Sequence, residues 1–429
     1  MLIKNEKINS FALLLSKIDI KVVFFGMIFF GPFLYVDVHR LPFLSPYYLT
    51  IGRMIKFAIL FLMIIYLIPV LFKRKFHIPI NKYVIAIVPY MLACFLSLAV
   101  NPDNKQITGK WDLIYLYYSF AVLLIMLYTL KNNEHKILIY IMMSLVLFNC
   151  VFSYIDMAVG FNNSIGKHSG LFGDRIYYGR LSTIISAYMI IMLLNTKSTL
   201  KKWLLLLGIL FLLINILLLF QRGVYLAYFF AIVTIVLATK NKKIIFAGIF
   251  LSCILALLFG YMVMERMNRD KMGVVNLSDA GRVSSIYAGF NMWKAKPIFG
   301  VGHGTSFHRI REYENIRIIG FNNQAFSIHN SYLVRLAETG VLGFITFTFF
   351  NIMILLKLIG TFKGKKNIVK ECPLELFYTI YLIVFSVMDM MYPINFKEGY
   401  YWYLLTGAII LIRDKQKIEE IEQNVESRE

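Results

Sequence analysis

The sequence predicts an all-α, polytopic integral membrane protein of about twelve transmembrane helices, with one large extracytoplasmic loop that contains an amphipathic helix. Composition is the first reason: 59% of the 429 residues are hydrophobic, 16% are aromatic and the mean hydropathy is +0.67. A water-soluble globule of that composition would expose far too much apolar surface. The second reason is the repeated return of long apolar runs, and the third is a single long polar interval, 264–331, set among them. An interval of that size does more than turn the chain.

In order, apolar runs lie near Val22 to Val36, Met54 to Phe72, Tyr83 to Val100, Leu113 to Leu130 and Ile137 to Val159. Further runs follow near Tyr177 to Leu194, Trp203 to Phe220, Val224 to Ala238, Ile244 to Met264, Tyr332 to Gly360, Leu374 to Met391 and Tyr400 to Ile412. Several fall short of the roughly 20 residues that cross about 30 Å of hydrocarbon, so tilted or partial spans are expected. Irregular backbone facing lipid is too costly for many of them to be loops.

Basic residues set the orientation. Lys4, Lys7, Lys17 and Lys21, the Lys73-Arg74-Lys75 cluster, Lys131 and Lys136, Lys197, Lys201 and Lys202, Lys240, Lys242 and Lys243, and Lys363, Lys365 and Lys366 all fall in alternate loops. The positive-inside rule makes that side cytoplasmic, together with both termini and the charged tail 413–429, and turns the 264–331 interval outward. Most of the formal charge of +21 is explained by this sorting. The outer side nevertheless keeps a basic remainder that sorting does not explain; a solvated surface and an anionic ligand both account for it.

Cys94, Cys150 and Cys253 lie inside apolar runs and Cys372 in a loop of the basic side, so the outer interval has no thiols to pair. The N-terminal basic region and the run from Val22 continue into Gly31-Pro32 and aromatic residues instead of a cleavage site, which predicts a retained first helix. The chain 1–429 reads as one membrane domain.

Charged residues in or beside apolar runs are costly and usually face a cavity or a partner. Arg222, in FQRGVYLAY, sits in a hairpin so tight that its guanidinium lies at the outer membrane edge, either snorkelling or holding an anion. Arg175 and Arg180, in GDRIYYGRLST, enter a helix from the same side. Arg335 and Glu338 stand three apart and suit mutual neutralisation; Asp156 and Asp389 stand near outer helix ends, where capping or ion pairing is the usual role.

Within the outer interval, Val283, Ile286, Tyr287, Phe290 and Trp293 recur at helical spacing until Pro297, predicting an amphipathic helix on the bundle or at the membrane interface, with Trp293 at headgroup level. Arg282, near its start, is either a surface arginine or a cation placed beside free backbone N–H groups, a pairing that holds phosphate. Gly300, Gly302 and Gly304 mark a tight turn with exposed backbone; no strand precedes them, so they are not a nucleotide fingerprint. His329 stands immediately before the next apolar run, where an imidazole serves either as a hydrogen-bonded cap or as a base near neutral pH, although Asn330 or Ser331 is the more natural N-cap. His303, His308 and His329 form a scattered trio without a carboxylate at ligand spacing, so no metal and no cofactor is expected.

These residues carry a resemblance. The run R-V-x-x-x-x-x-G-x-x-M-x-K-x-x-P-I-F-G-V-G-x-G from Arg282, and H-N-S-Y-L-x-x-L-A-E-T-G-x-x-G from His329, resemble the signature region of the bacterial O-antigen ligase and polymerase superfamily, integral membrane glycosyltransferases of GT-C-like fold. Gln221-Arg222-Gly223 is similar to its R-G hairpin, although Gln221 stands where a small hydroxyl residue is expected. The resemblance implies a multi-pass enzyme of the bacterial inner membrane that takes an undecaprenyl-pyrophosphate-linked glycan at the outer leaflet. The acceptor it implies is the lipid A-core or a second lipid-linked glycan, and no nucleic acid. It assigns the donor pyrophosphate to Arg222 and Arg282, the base that activates the acceptor hydroxyl to His329, and looser donor or acceptor contacts to Arg175 and Arg180.

The chemistry agrees. A pyrophosphate leaving an anomeric carbon needs its negative charge stabilised, and arginines supply this where no carboxylate cluster holds Mg²⁺. A single displacement inverts the anomeric carbon, giving a metal-independent inverting transferase. Three activities share this layout: a ligase, a polymerase joining lipid-linked repeats, and a transporter of lipid-linked glycans. A transporter would place its charges near the membrane midplane in two related halves, whereas here they gather at the outer edge.

Overall fold

The computed structural model describes residues 82–102, 134–159, 175–219, 221–239, 277–314 and 327–391, with isolated helical positions elsewhere. The expected spans at 22–36 and 54–72, most of 113–130, 244–264 and 400–412, and the tail 413–429, lie outside the described residues.

The described elements are all helical. They are α1 (Lys82–Ile85), α2 (Val88–Val100), α3 (Glu134–Val159), α4 (Arg175–Asn195), α5 (Thr199–Leu218), α6 (Arg222–Thr239), α7 (Leu277–Ala295), α8 (Ser306–Arg309), a 3₁₀ turn (Ile310–Glu312), α9 (Ser331–Gly360), α10 (Ile368–Glu371) and α11 (Pro373–Asp389). Five helices among the described residues are long and apolar enough to cross a membrane: Lys82–Val100, Tyr178–Asn195, Thr199–Leu218, Arg222–Thr239 and Ser331–Gly360. Their starts follow local rules. Ser198 and Asn330 accept the backbone N–H of Lys201 and Leu333 as N-caps, and Pro89 and Pro373 sit in first turns, where a missing N–H costs nothing.

The centre of the bundle is α4, α6 and α11 packed on one another, with α5 against α4 and α2 against α9. Burial separates inner from peripheral helices. On α6, Ala227, Ala231, Ile235 and neighbours are buried, whereas α5 exposes Leu200, Trp203, Leu204, Leu207 and Leu210, the pattern of a helix whose outer side meets lipid. Two polar contacts tie helices together inside: Ser186 meets the Tyr228 hydroxyl at 3.2 Å, and the Tyr154 hydroxyl donates to the Phe211 carbonyl at 2.9 Å.

α7 falls where an amphipathic helix was expected, but its inward side is not the large apolar stripe. Ser284, Ser285, Ala288, Gly289 and Met292 are buried, while Val283, Ile286, Tyr287 and Phe290 are exposed. The small side chains let α7 lie close on α9: a Cβ at Gly289 would stand 2.8 Å from the Leu333 side chain. A second, small core of Ala288, Met292, Val301, Ile310, Ile328, Leu333 and Ala337 joins α7, the following turn and the start of α9.

Candidate functional site at one end of the bundle

The site is built on a break in α9. Gly340 has φ 65° and ψ −167°, so the helix is interrupted in its third turn. An unbroken helix would bond the N–H of residues 341 and 342 to the carbonyls of 337 and 338. Here the segment 297–302 is threaded into that gap. Val301 and Gly302 donate to the carbonyls of Ala337 and Glu338 at 2.9 and 3.1 Å, and the N–H groups of Val341 and Leu342 reach the carbonyls of Pro297 and Ile298 at 2.9 and 3.4 Å. All four freed backbone groups are thus satisfied, which apolar surroundings demand.

Glycine makes this crossing possible. A Cβ at Gly300 would lie 2.3 Å from the Glu338 carbonyl carbon, and Gly300, Gly302 and Gly304 have φ of 68°, 120° and 69°. The turn is as tight as expected, but Gly300 and Gly302 are buried against α9, so its backbone is not exposed as the sequence suggested.

Glu338 holds the rest of the turn. Its carboxylate accepts the backbone N–H of Gly304 at 2.9 Å, that of Ser306 at 3.1 Å and the Ser306 hydroxyl at 2.5 Å. His303 Nδ1 lies 3.8 Å from the same carboxylate. Burial first, and then the charge of Arg335, push the His303 imidazole down to about 3, so it is neutral at any ordinary pH. From the other side, Asn101 donates to the carbonyls of Ser97 and Gly300 at 2.7 and 2.9 Å and accepts Lys296 Nζ at 2.6 Å, while the Ser97 hydroxyl donates to the Glu338 carbonyl. α7 is tied to the same unit, since Ser284 donates to the Glu314 carboxylate and Asn291 to the Tyr313 carbonyl.

Two buried arginines stand beneath. Arg180 pairs with Asp389 at 3.4 Å, both almost wholly buried, and its guanidinium lies 5.3 Å over the Phe385 ring. The ion pair expected of Asp389 is therefore present. Arg335 donates to the Ser331 carbonyl at 3.0 Å, lies 3.8 Å over Phe347, and acts electrostatically on Asp389 together with Arg180.

His329 is half-buried immediately before this group. Asn330 is the N-cap, as the residue type favoured, and also donates to the Met390 carbonyl at 3.2 Å, so the His329–Asn330 corner is pinned to the end of α11. His329 Nδ1 is a buried atom with no hydrogen-bond partner. Burial, and then the positive charge of Arg282, hold its imidazole below the ordinary range. The structure thus brings Arg282 and His329 into one electrostatic neighbourhood.

Arg222 is half-buried at the start of α6, whose Val224 fills the space beside Gly179 on α4, next to Arg180. That contact ties Arg222 to the helix of Arg180. Arg175 opens α4, but its side chain, like that of Asp156, lies outside the described residues. His303 is buried and His308 exposed, and among the described residues no three His, Cys, Asp or Glu side chains gather as metal ligands. Sequence reasoning misses Ser97, Asn101 and Ser306, because short polar residues beside apolar runs carry no periodic signal. It finds Glu338 only as a partner for Arg335, three residues away.

Membrane-length helices, with a polar knot, buried arginines and an imidazole beside an arginine-bearing helix gathered at one end, define a polytopic membrane protein. Residues 207–348 match the family model described as O-antigen ligase, a region that contains Arg222, Arg282 and His329. The match bears out the resemblance to the O-antigen ligase superfamily over that region, and the enzymes of that family are glycosyltransferase-like. No curated protein matches the chain.

Proposed function

We propose that the protein is an O-antigen ligase-type, metal-independent inverting glycosyltransferase, moving a glycan from undecaprenyl pyrophosphate to a hydroxyl of the lipid A-core on the outer face of the bacterial inner membrane, with both termini cytoplasmic. The observation that carries this reading is the pairing of His329 with Arg282: a half-buried imidazole, kept neutral by burial and by the arginine's charge, with Nδ1 free of any hydrogen-bond partner. An imidazole in that state is ready to accept a proton.

In the proposed step the acceptor oxygen attacks the anomeric carbon, and the bond from that carbon to the pyrophosphate oxygen breaks on the opposite face. Undecaprenyl pyrophosphate leaves with the electron pair, and the acceptor proton passes to His329. Arg282 and Arg222 hold the pyrophosphate and stabilise the charge that grows on it, with Arg180 and Arg175 contributing contacts to donor or acceptor. The energy comes from the donor bond itself.

The test is reconstitution in proteoliposomes with a lipid-linked glycan and lipid A-core. Transfer by the native chain, and its loss in Arg282→Ala and His329→Ala variants that still insert, is expected; full activity in both variants overturns the mechanism. Deleting the gene separates the acceptors. Long chains lost from lipid A-core but accumulating on undecaprenyl pyrophosphate identify a ligase, whereas a single repeat on lipid A-core identifies a polymerase. An unchanged ladder points to a transporter or another polysaccharide.

A further inference from the structure

α7 turns its large apolar side chains away from the protein. Val283 is 48% exposed, Ile286 40%, Tyr287 52% and Phe290 42%, all on the side opposite the Ser285–Ala288–Gly289–Met292 seam. A soluble surface helix would reverse this arrangement. The apolar surface does not end with α7. Ile298, 61% exposed, follows Pro297 and is stitched by its carbonyl to Leu342, where an outward apolar row along α9 begins with Val341, Leu342, Ile345 and Phe349. That row belongs to a membrane-length helix, so the outward side of α7 continues a lipid-facing surface. Lys294 and Lys296 are exposed at the C-terminal end of the stripe, and Trp293 packs edge-on against Phe290 with ring centroids 6.5 Å apart. Large apolar residues, an aromatic pair and flanking lysines are the composition of a helix lying in a membrane interface that contains anionic lipid.

We infer that α7 is an interfacial anchor: its Val283–Ile286–Tyr287–Phe290 stripe inserts among the acyl chains of the adjacent leaflet, with phospholipid as its occupant, and thereby seats Arg282 at headgroup depth. This rests on the proposed function only where it gives Arg282 a pyrophosphate to meet. The depth of such a substrate group is fixed by the bilayer, so an arginine carried on an anchored helix is held level with it without any contact to the glycan. Small side chains toward the protein and large ones toward lipid then have a common purpose, holding the helix between two surfaces at a set height.

The experiment places bimane on Ile286→Cys, Tyr287→Cys, Phe290→Cys and, as the control in the exposed loop after α9, Lys363→Cys of the full chain, with label on the parent subtracted. The chain is reconstituted in phosphatidylcholine–phosphatidylglycerol vesicles with and without brominated acyl chains. The three stripe positions are expected to lose about half or more of their emission to bromines placed near the headgroup end of the chain, because such a helix lies roughly 5–10 Å into that boundary, while position 363 is spared. Equal, weak quenching at all four positions overturns the anchor. So does absence of quenching with disulfide-linked dimers through 286 or 290, which would make the stripe an interface between copies. Quenching is read without turnover, so a stripe that quenches in a protein that transfers no glycan leaves the anchor standing and removes the enzymatic reading instead.

Discussion

Gly340 lies with its backbone against Ile298, so closely that a Cβ at 340 would stand 2.2 Å from the Ile298 carbonyl oxygen. No side chain fits there, and φ of 65° would strain any residue that tried. Gly340→Ala should therefore lower stability by roughly 2–3 kcal/mol. A methyl group at Gly281, in α7, would meet nothing within 4 Å. Gly281→Ala should be neutral or stabilising by up to about 1 kcal/mol through helix propensity alone. Unfolding of the two variants in the same detergent checks both signs.

Glu338 tests the knot differently. Removing the carboxylate in Glu338→Ala leaves the N–H groups of Gly304 and Ser306 and the Ser306 hydroxyl without their acceptor, at an expected cost of about 3 kcal/mol. Glu338→Gln keeps one acceptor oxygen and should cost about half as much. Thermal unfolding ranks the two, and glycan transfer measured alongside should fall in the same order.

The Arg180–Asp389 pair is buried on both sides, so breaking it strands a charge. Either Arg180→Met or Asp389→Leu alone should destabilise by about 3–5 kcal/mol, and the double replacement should cost less than either. A double-mutant cycle decides this. Additive losses would mean the two groups are held independently.

Acid should act on the fold through His303. Its imidazole is held at about 3 in the folded chain against 6.5 for the ordinary side chain, so as pH falls below 6.5 the unfolded state takes up the proton first. The stability that rests on a neutral His303 is complete above that value and is lost progressively down to about 3. Urea midpoints across this range should fall less steeply in His303→Gln.

Catalysis should show the corresponding signature at His329. Burial and Arg282 lower its proton affinity, so transfer should hold its rate down to a pH below the ordinary imidazole range before protonation removes the base. Arg282→Gln relieves one of the two causes, and the acid limb of kcat/KM should move to higher pH even as the rate falls by about 10²–10³. A limb that stays in place would separate the two residues functionally.

The helices were legible because apolar runs of membrane length have few other solutions. The expected run at 224–238 became Arg222–Thr239, and that at 332–360 became Ser331–Gly360. The break in the latter was not legible. LAETGVLGF reads as continuous helix, and only the approach of Ile298 from a distant turn makes Gly340 a hinge of the backbone. α7 was placed correctly by its period, but period alone does not say which side faces the protein. The sequence left the Val283–Phe290 stripe free to face either the bundle or the membrane interface, and close approach to α9 selected Ser285, Ala288 and Gly289 as the inward side. His329 and Arg282 were conspicuous by type and position; their mutual electrostatic effect is a product of the packing of α7 on α9.

That packing turns on Gly289, where an added Cβ would also meet Ile328 at 3.2 Å, one residue before His329. The gap between the two helices is thus metered by one absent methyl group. A bulkier residue at 289 would act as a shim, lifting α7 and its arginine off the imidazole while leaving every charged side chain unaltered, so the working distance of the site is written in a residue that has no chemistry of its own.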